Sequence, residues 1–425
     1  MGVMRRRTFL RRGAIFAAGL GAAWRGRAFT PPAVAPRVVI VGGGFAGGCC
    51  ALELRRLNPA VHVTLLDADA PYVSCPMSNE ALVGLRSLQS LSIPRAGLER
   101  SGVRFVRDEV TTVDPRRRRV RLRSGGAMVY DRLVVAPGIR FLYGTPEGYD
   151  ESAPLRMPHA WQAGPQTQLL AAQLHAMHDG DTVAISVPSG LMRCPPGPYE
   201  RASLIADWLT RHRPRSKVLI FDANNHFPRQ DVFTAAWREM YPGMIEWIAP
   251  ADGGVITRVD AKTCTLYGAG GAHRVAVANV IPPQAPGALA AESGLASGHG
   301  WCPIQPTTFE SELLEGVHVI GDACIAGAMP KSASAARSQA LQCAAALSAS
   351  FDGHAAPVAA FDSVCYSMLS GGSALAIHGT FAVSDGEIRQ DAVTATAPGQ
   401  QTPTAERAQE ATAWYERMRS QCFGV

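Results

Sequence analysis

The chain has 425 residues, of which 47% are hydrophobic and 18% are charged, and its formal net charge is +6. This length exceeds what one hydrophobic core usually serves, so two or three domains are expected. The positive charge comes from seven arginines within the first 27 residues, and the near-neutral remainder excludes the sustained basic surface that binding to nucleic acid requires.

The first residues carry an export pattern. Residues 6–11 read Arg-Arg-Thr-Phe-Leu-Arg, and the apolar stretch that follows, 13–24, is too short to span a bilayer. We expect residues 1–34 to be a Tat signal peptide, which directs a folded protein to the periplasm. No later segment is apolar over a membrane-spanning length, so we expect a periplasmic protein without stable membrane insertion.

The next element is a β-branched strand, 37–41, that runs straight into a glycine-rich turn and a helical pattern. In this turn Gly42 permits the tight bend, Gly44 lets the backbone approach a pyrophosphate, and Gly47 lets the helix pack closely on the strand. A second strand, 61–66, ends in Asp67, whose carboxylate can accept hydrogen bonds from a ribose. The spacing predicts a Rossmann-like dinucleotide-binding unit.

The middle of the chain repeats this rhythm without the glycine fingerprint. Strands are predicted at 182–187 and 217–222, with a helix at 201–212 between them. The turn after the first of these strands, 188–198, carries prolines where the fingerprint has glycines. Because proline lacks the N–H that holds a phosphate, a nicotinamide dinucleotide is not expected to bind there.

Two later segments favour FAD over NAD in the first unit. Residues 131–138 resemble the strand and turn that close the FAD domain of two-dinucleotide flavoproteins, and 316–322 resemble their final strand. In those families the aspartate after Gly321, here Asp322, binds the flavin ribityl chain. A helix after residue 330 would point its N-terminus at the flavin, with Lys331 either close to the flavin or capping that turn.

The chain resembles the flavoprotein subunit of flavocytochrome c sulfide dehydrogenase in six motifs, at 73–80, 193–203, 281–284, 301–303, 321–323 and 329–332. The resemblance implies an α/β fold with two Rossmann-like dinucleotide-binding domains, similar to glutathione reductase, and a small C-terminal α+β domain. The signal peptide is expected at 1–34. An FAD-binding domain is expected in two parts, at 35–149 and 283–354, with an NAD-binding-like domain at 150–282 between them. A C-terminal interface domain is expected at 355–425.

The same resemblance implies the site residues. FAD would be bound covalently through Cys75, and a redox-active disulfide would join Cys194 to Cys365, although the bond could also be a structural staple. A disulfide beside a flavin can accept attack by hydrosulfide without any nicotinamide. Glu200, six residues after Cys194, is a candidate for proton handling or for a structural ion pair with Arg201 or another arginine.

The electron acceptor is expected on another protein. The chain has no Cys-x-x-Cys-His sequence, so haem c would be carried only by a separate cytochrome c subunit, forming a heterodimer with the segment after 355 near the contact. Two alternatives stay open. One is an enzyme like sulfide:quinone oxidoreductase, and the other is a non-catalytic accessory flavoprotein of sulfur oxidation.

The remaining cysteines and one histidine are assigned no chemistry. Five cysteines lie in apolar contexts and are expected to be small buried hydrophobes: Cys49, Cys50, Cys302, Cys324 and Cys343. Cys264 and Cys422 carry no motif, and His159 is interpreted as a hinge or packing residue between domains.

Overall fold

The computed structural model describes residues 35–296, 300–357, 360–391 and 402–425, and the structural statements below concern these residues. The predicted signal peptide, 1–34, lies outside the described residues. Within the described ranges no helix combines the length and the hydropathy needed to cross a membrane.

The N-terminal region, residues 37–141, contains the first parallel sheet and its helices. Its strands are β1 (Arg37–Val41), β2 (His62–Asp67), β3 (Tyr72–Val73), β4 (Ser92–Ile93), β5 (Arg104–Arg107), β6 (Val110–Asp114), β7 (Arg119–Leu122), β8 (Ala127–Val129), β9 (Arg132–Val135) and β10 (Ile139–Phe141). Its helices are α1 (Phe45–Leu57), α2 (Ser78–Leu82) and α3 (Ala96–Arg100). The predicted strand, glycine turn and helix are therefore present.

The middle region, residues 165–280, contains the second parallel sheet. Its elements are α4 (Pro165–His175), β11 (Thr182–Val187), α5 (Gly197–His212), β12 (Lys217–Asp222), α6 (Gln230–Met240), β13 (Ile245–Ile248), β14 (Ile256–Asp260), β15 (Thr265–Gly268), β16 (Gly271–Arg274) and β17 (Val277–Val280). The order β13-β12-β11-β17 is parallel throughout, and β14 to β16 form a separate antiparallel sheet. Helix α5 begins four residues before the predicted start at 201 and includes Pro198 in its first turn. Proline is well tolerated there because an N–H in the first turn has no hydrogen-bond acceptor within the helix.

Residues 284–351 return to the first sheet. The elements are β18 (Gln284–Pro286), α7 (Ala288–Glu292), β19 (Val317–Val319) and α8 (Ala333–Phe351). Strand β19 completes the parallel order β19-β9-β1-β2-β5. The buried run Val-Val-Ile-Val in β1 suits a central strand that is covered on both faces, and α8, which is rich in alanine, packs closely on α1.

The C-terminal region consists of the antiparallel strands β20 (Ala360–Ser370), β21 (Ser373–Ser384) and β22 (Glu387–Gln390), followed by α9 (Ala405–Phe423). Strand β20 packs against α5 and α8, and α9 packs against α1 and β21. The predicted architecture of two Rossmann-like sheets and a small C-terminal α+β region is confirmed. The predicted domain boundaries stay predictions.

Candidate active site

One cavity of about 560 Å³ gathers most of the residues that the sequence nominates. It opens where the carboxyl ends of the first parallel sheet face α5 and β20. The nominated residues that line it are Gly42, Gly44, Asp67, Cys75, Cys194, Glu200, Gly321, Asp322 and Cys365. Gly47 and Lys331 are not part of its lining.

The glycine turn has the geometry of a phosphate-binding loop. Gly42 has a φ of +94°, and a Cβ added there would lie 2.2 Å from the carbonyl oxygen of Ala136. A Cβ on Gly47 would lie 1.9 Å from the Gly42 carbonyl oxygen, so only glycine lets α1 pack this closely. Gly44 has no neighbour closer than 3.8 Å on that side, which leaves its backbone open to the cavity at the N-terminus of α1. These features fit a dinucleotide pyrophosphate.

Asp67 ends β2 and is already engaged by an arginine that the sequence did not nominate. Its Oδ2 accepts a hydrogen bond of 2.9 Å from the Gly43 N–H and forms a 2.5 Å ion pair with Arg95. Burial raises the pKa of Asp67 and the charge of Arg95 opposes that rise. Arg95 is 5% exposed and also donates to the Gly43 carbonyl oxygen. No motif surrounds Arg95, so nothing in the sequence marked it.

Cys75 lies between β3 and α2 beside a second unpredicted cation, Arg193. The Cys75 carbonyl oxygen accepts from the Ser78 N–H at 3.0 Å, at the start of α2. The guanidinium of Arg193 donates to the carbonyl oxygen of Trp161. Burial tends to lower the pKa of Arg193, but the charges of Cys75 and Asp322 outweigh it and raise that pKa. Arg193 therefore supplies positive charge to the part of the cavity that holds the thiol.

The Cys194 thiol is positioned by a tight turn before α5. Cys194 has a φ of +54°, and its N–H donates to the Lys331 carbonyl oxygen at 2.8 Å. A Cβ added to Gly197 would lie 3.1 Å from the Cys194 Sγ and 2.8 Å from the Trp161 ring. The glycine of the Arg-Cys-Pro-Pro-Gly run thus leaves room for the sulfur.

Cys194 and Cys365 line the same cavity, and both are thiols in the structure. Burial raises the pKa of Cys194 well above its ordinary value, and the charges of Glu200 and Cys365 raise it further. Burial also raises the pKa of Cys365, against the hydrogen bonds that its thiol makes with the hydroxyls of Ser332 and Ser363. The structure brings the two cysteines to one site, and the bond between them stays a prediction.

Glu200 is a buried carboxyl group with an unusually high proton affinity. Burial, and then the charge of Glu80, raise its pKa from 4.5 to about 8. Arg201 is buried next to it in sequence, yet no Lys, Arg or His nitrogen in the described part of the chain lies within 4.0 Å of the Glu200 carboxylate. The guanidinium of Arg201 instead donates to oxygens of Asn79, His159, Ala160 and Asn279 at 2.7–3.0 Å. The ion pair that the sequence left open is therefore not formed, and the raised pKa favours the protonated form of the Glu200 carboxyl at neutral pH.

Lys331 lies behind the cavity wall. Its Nζ donates to the carbonyl oxygens of Asp322 at 2.7 Å and Cys324 at 3.0 Å, and it sits 3.7 Å from the centre of the Trp301 ring. Of the two positions that the sequence allowed for Lys331, close to the flavin or capping the turn, the structure shows the capping position. Burial raises the pKa of Asp322, while the charges of Arg193 and Lys331 lower it.

Comparison with known proteins assigns the family. The model of the central part of the sulfide dehydrogenase [flavocytochrome c] flavoprotein chain matches residues 167–282, and the pyridine nucleotide-disulphide oxidoreductase model matches 36–155. Over 43 residues the chain is 51% identical to the sulfide dehydrogenase [flavocytochrome c] flavoprotein chain of Chlorobaculum thiosulfatiphilum, a match that covers 90% of that sequence and 10% of this one. The chain belongs to this family of sulfide dehydrogenase and sulfide:quinone oxidoreductase flavoproteins.

Sulfide:quinone relatives resemble the chain in sequence over part of their length and in fold over nearly all of it. The chain is 30% identical over 189 residues to the sulfide-quinone reductase of Aquifex aeolicus, which covers 44% of this chain and 42% of that protein. The solved sulfide:quinone oxidoreductase of Aquifex aeolicus superposes with a TM-score of 0.70 at 17% identity, covering 92% of this chain and 93% of that one. A putidaredoxin reductase bound to putidaredoxin gives 0.65 at 16% identity, covering 91% and 93%. These two structures show the shared fold.

In the second Rossmann-like unit, the carboxylate at the end of the second strand is already bound by protein side chains. Asp222 ends β12, as Asp67 ends β2, but it is fully buried. Its Oδ2 accepts from the Tyr199 hydroxyl at 2.6 Å and from the Trp247 indole N–H at 2.9 Å, and Phe227 stacks on the Tyr199 ring at 3.7 Å. The carboxylate is therefore enclosed by aromatic side chains, which the sequence-based reasoning did not foresee.

His159 is a packing residue, as the sequence suggested. It is 4% exposed, its ring centre lies 4.1 Å from that of Phe141, and its Nδ1 accepts from the Trp161 N–H at 3.0 Å. Burial and the charge of Arg201 lower its pKa to about 4, so it stays neutral.

Proposed function

We propose that the chain is the FAD-dependent flavoprotein subunit of a sulfide dehydrogenase. It would oxidise sulfide through a disulfide of Cys194 and Cys365 and a FAD bound covalently to Cys75, and pass the electrons to a cytochrome c subunit. The observation that carries the proposal is that these three thiols share one cavity with the phosphate-binding turn that begins at Gly42.

The cavity fits FAD from one end to the other. The N-terminus of α1 and the open backbone at Gly44 suit the pyrophosphate, and Asp67 with Arg95 lies at the ribose end. Asp322 also lines the cavity and would hold the ribityl chain. The first residues of α8 also line the cavity, so the positive end of that helix dipole faces the flavin end. FAD bound there would supply the two-electron acceptor for sulfide oxidation.

The chemistry of the protein side chains is disulfide exchange. A hydrosulfide ion attacks one sulfur of the Cys194–Cys365 bond, which forms a cysteine persulfide and releases the other cysteine as a thiolate. One S–S bond forms and one breaks, so the charge and the electrons of the step balance. The positive charge of Arg193, buried in the same cavity, stabilises the thiolate.

Glu200 would handle the proton of this step. Its carboxyl lines the same cavity as Cys194 and Cys365, and with a pKa raised to about 8 it can donate a proton to the thiolate that leaves. The same carboxyl can then take back a proton when the disulfide is restored.

A nicotinamide nucleotide is not the proposed reductant. The turn before α5 carries Pro195 and Pro196, and Asp222 is enclosed by Tyr199 and Trp247. Neither a phosphate-binding backbone nor a free ribose acceptor is available in the second Rossmann-like unit.

The test is anaerobic titration of the purified protein with sulfide while the flavin absorbance is followed. Bleaching in the wild type, its loss in Cys194→Ser with FAD retained, and unchanged behaviour of a Cys264→Ser control are expected, since Cys264 lies outside the cavity. Bleaching that persists in Cys194→Ser would make the cysteine pair a structural staple. A wild type that binds FAD but is not reduced by sulfide would favour an accessory flavoprotein.

The covalent bond is tested by acid precipitation. The yellow colour is expected in the pellet of the wild type and in the supernatant of Cys75→Ala. Colour released from the wild type would contradict the attachment through Cys75.

A quinone is the alternative acceptor, because the match to a sulfide-quinone reductase extends over 189 residues. Reoxidation of the sulfide-reduced protein by cytochrome c and not by a soluble quinone is expected. Reoxidation by the quinone and not by cytochrome c would favour the alternative.

Export by the Tat pathway to the periplasm is also part of the proposal. The double variant Arg6→Lys, Arg7→Lys should retain the protein in the cytoplasmic fraction.

A further inference from the structure

Four buried cysteines outside the cavity form two touching pairs around α1. Cys49 and Cys50 are consecutive in that helix, and each is at most 1% exposed. The thiol of Cys422, in α9, is hydrogen-bonded with Cys49, and the thiol of Cys343, in α8, is hydrogen-bonded with Cys50. Consecutive residues of a helix point about 100° apart, so the two thiols face different neighbouring helices and do not compete for one partner.

We propose that Cys49 and Cys422 form a disulfide that locks α9 onto the FAD-binding region. This cross-link goes beyond the proposed reaction and is independent of it, because neither cysteine lines the cavity.

The backbones around this pair are already in close contact. A Cβ added to Gly48 would lie 2.4 Å from the Cys422 carbonyl oxygen, and one added to Gly97 would lie 2.1 Å from the Phe423 carbonyl oxygen. The ring of Phe423 packs 5.1 Å from that of Phe45. The C-terminal end of α9 is therefore held by backbone packing against α3 and against the part of α1 that carries Cys49.

The cross-link would control a wall of the cavity. Helix α9 carries Trp414, which lines the cavity, and the adjacent Tyr415 is fully buried. The Tyr415 ring also receives the guanidinium of Arg86 at 5.5 Å. If α9 detached from α1, this wall would open, and a bond near the C-terminal end of the helix would prevent that detachment. The proposed lock therefore retains the cofactor site in its closed form.

Bond formation needs an oxidant, which is a disulfide compound. The two thiols give up two protons and two electrons, the Cys49–Cys422 bond forms, and the S–S bond of the oxidant breaks to give two thiols. Burial raises the pKa of Cys422 well above its ordinary value, so little reactive thiolate exists while α9 is docked. Oxidation is therefore limited by transient opening of α9.

The experiment is a peptide map of the purified holoprotein after incubation with oxidised glutathione, alkylation in denaturant and trypsin digestion without reductant. Trypsin releases residues 38–55, which hold Cys49 and Cys50, and 420–425, which hold Cys422. A single disulfide-linked species of these two peptides is expected, and a reductant should separate it. The species should be absent from Cys49→Ala and Cys422→Ser and retained in Cys50→Ala and Cys264→Ser.

A second readout measures the lock. Tryptic cleavage within α9 should be at least about ten-fold slower in the oxidised wild type than in Cys422→Ser, because a native cross-link suppresses local opening. Recovery of both peptides as alkylated thiols, with or without a refolding step in oxidised glutathione, would overturn the proposal. A link between Cys49 and Cys343, or between Cys50 and Cys422, would overturn it as well.

Discussion

The proton on Glu200 should make the stability of the protein fall as the pH rises. The change is Glu200→Gln, which keeps the shape of the neutral carboxyl group and cannot ionise. A pKa raised from 4.5 to about 8 means that the folded protein holds a proton that the unfolded chain has lost across this range. At about 1.4 kcal/mol per pH unit, the wild type should lose about 5 kcal/mol relative to the variant between these two values.

The sign follows from the direction of the shift. Below pH 4.5 the carboxyl is protonated in both states, so the wild type keeps its full stability and the variant gains nothing from this source. As the pH rises through the folded pKa of about 8, ionisation of the buried group is complete and the full difference is reached. The variant should therefore become progressively more stable than the wild type from pH 5 to pH 8.

Urea denaturation of both proteins at pH 5, 6, 7 and 8 measures this difference, and infrared spectroscopy of the folded proteins follows the C=O stretch of the protonated carboxyl directly. Glu246→Gln is the matched control, since Glu246 is exposed on β13. A difference between Glu200→Gln and the wild type that stays constant from pH 5 to pH 8 would refute the argument. It would mean that Glu200 is ionised in the folded protein at neutral pH.

Three further changes probe the cavity and the residues packed behind it. Gly197→Ala should displace the Cys194 sulfur, which lies 3.1 Å from the added Cβ, and slow sulfide-dependent flavin reduction by more than about ten-fold with little change in flavin content, as measured by stopped-flow absorbance. Lys331→Met should lower the unfolding free energy by about 2–3 kcal/mol through loss of two charged hydrogen bonds, as measured by urea denaturation, and a loss below about 0.5 kcal/mol would contradict this role. Tyr199→Phe should destabilise the protein by about 1–3 kcal/mol, because buried Asp222 loses one donor, and should still leave NADH unable to bleach the flavin; bleaching by NADH would show that the second unit retains a nucleotide site.

The sequence predicted the parts of the fold that depend on local pattern. The bounds of β1, β11 and β12 agree with the predicted strands, because a run of β-branched residues between turn residues indicates where a buried parallel strand begins and ends. The glycine turn is also local, since each glycine meets a neighbour that would clash with a Cβ or leaves one face open. These features need no knowledge of distant residues.

The contacts within the cavity depend on distant residues, and here the sequence was less informative. Arg95 binds Asp67 across 28 residues, and Tyr199 binds Asp222 across 23, without any motif that marks either donor. The high pKa of Glu200 likewise arises from burial between α5, α2 and β20, which no window of sequence encodes. Spacing nominated the residues for the proposed chemistry, and the packing of three regions determines their charge.

The position of the Cys194 thiol is set from behind the cavity rather than from within it. The Cys194 N–H donates to the Lys331 carbonyl oxygen, and the Lys331 ammonium donates to the carbonyl oxygen of Asp322. One residue thus joins the turn that carries the thiol to the turn that carries the carboxylate, although the two turns belong to different Rossmann-like units. The Lys331 side chain does not line the cavity, so its loss should shift the thiol relative to Asp322 and also remove a nearby charge that lowers the pKa of Asp322. We therefore expect Lys331 to act as a positioning residue, on which the separation between the Cys194 thiol and the Asp322 carboxylate depends.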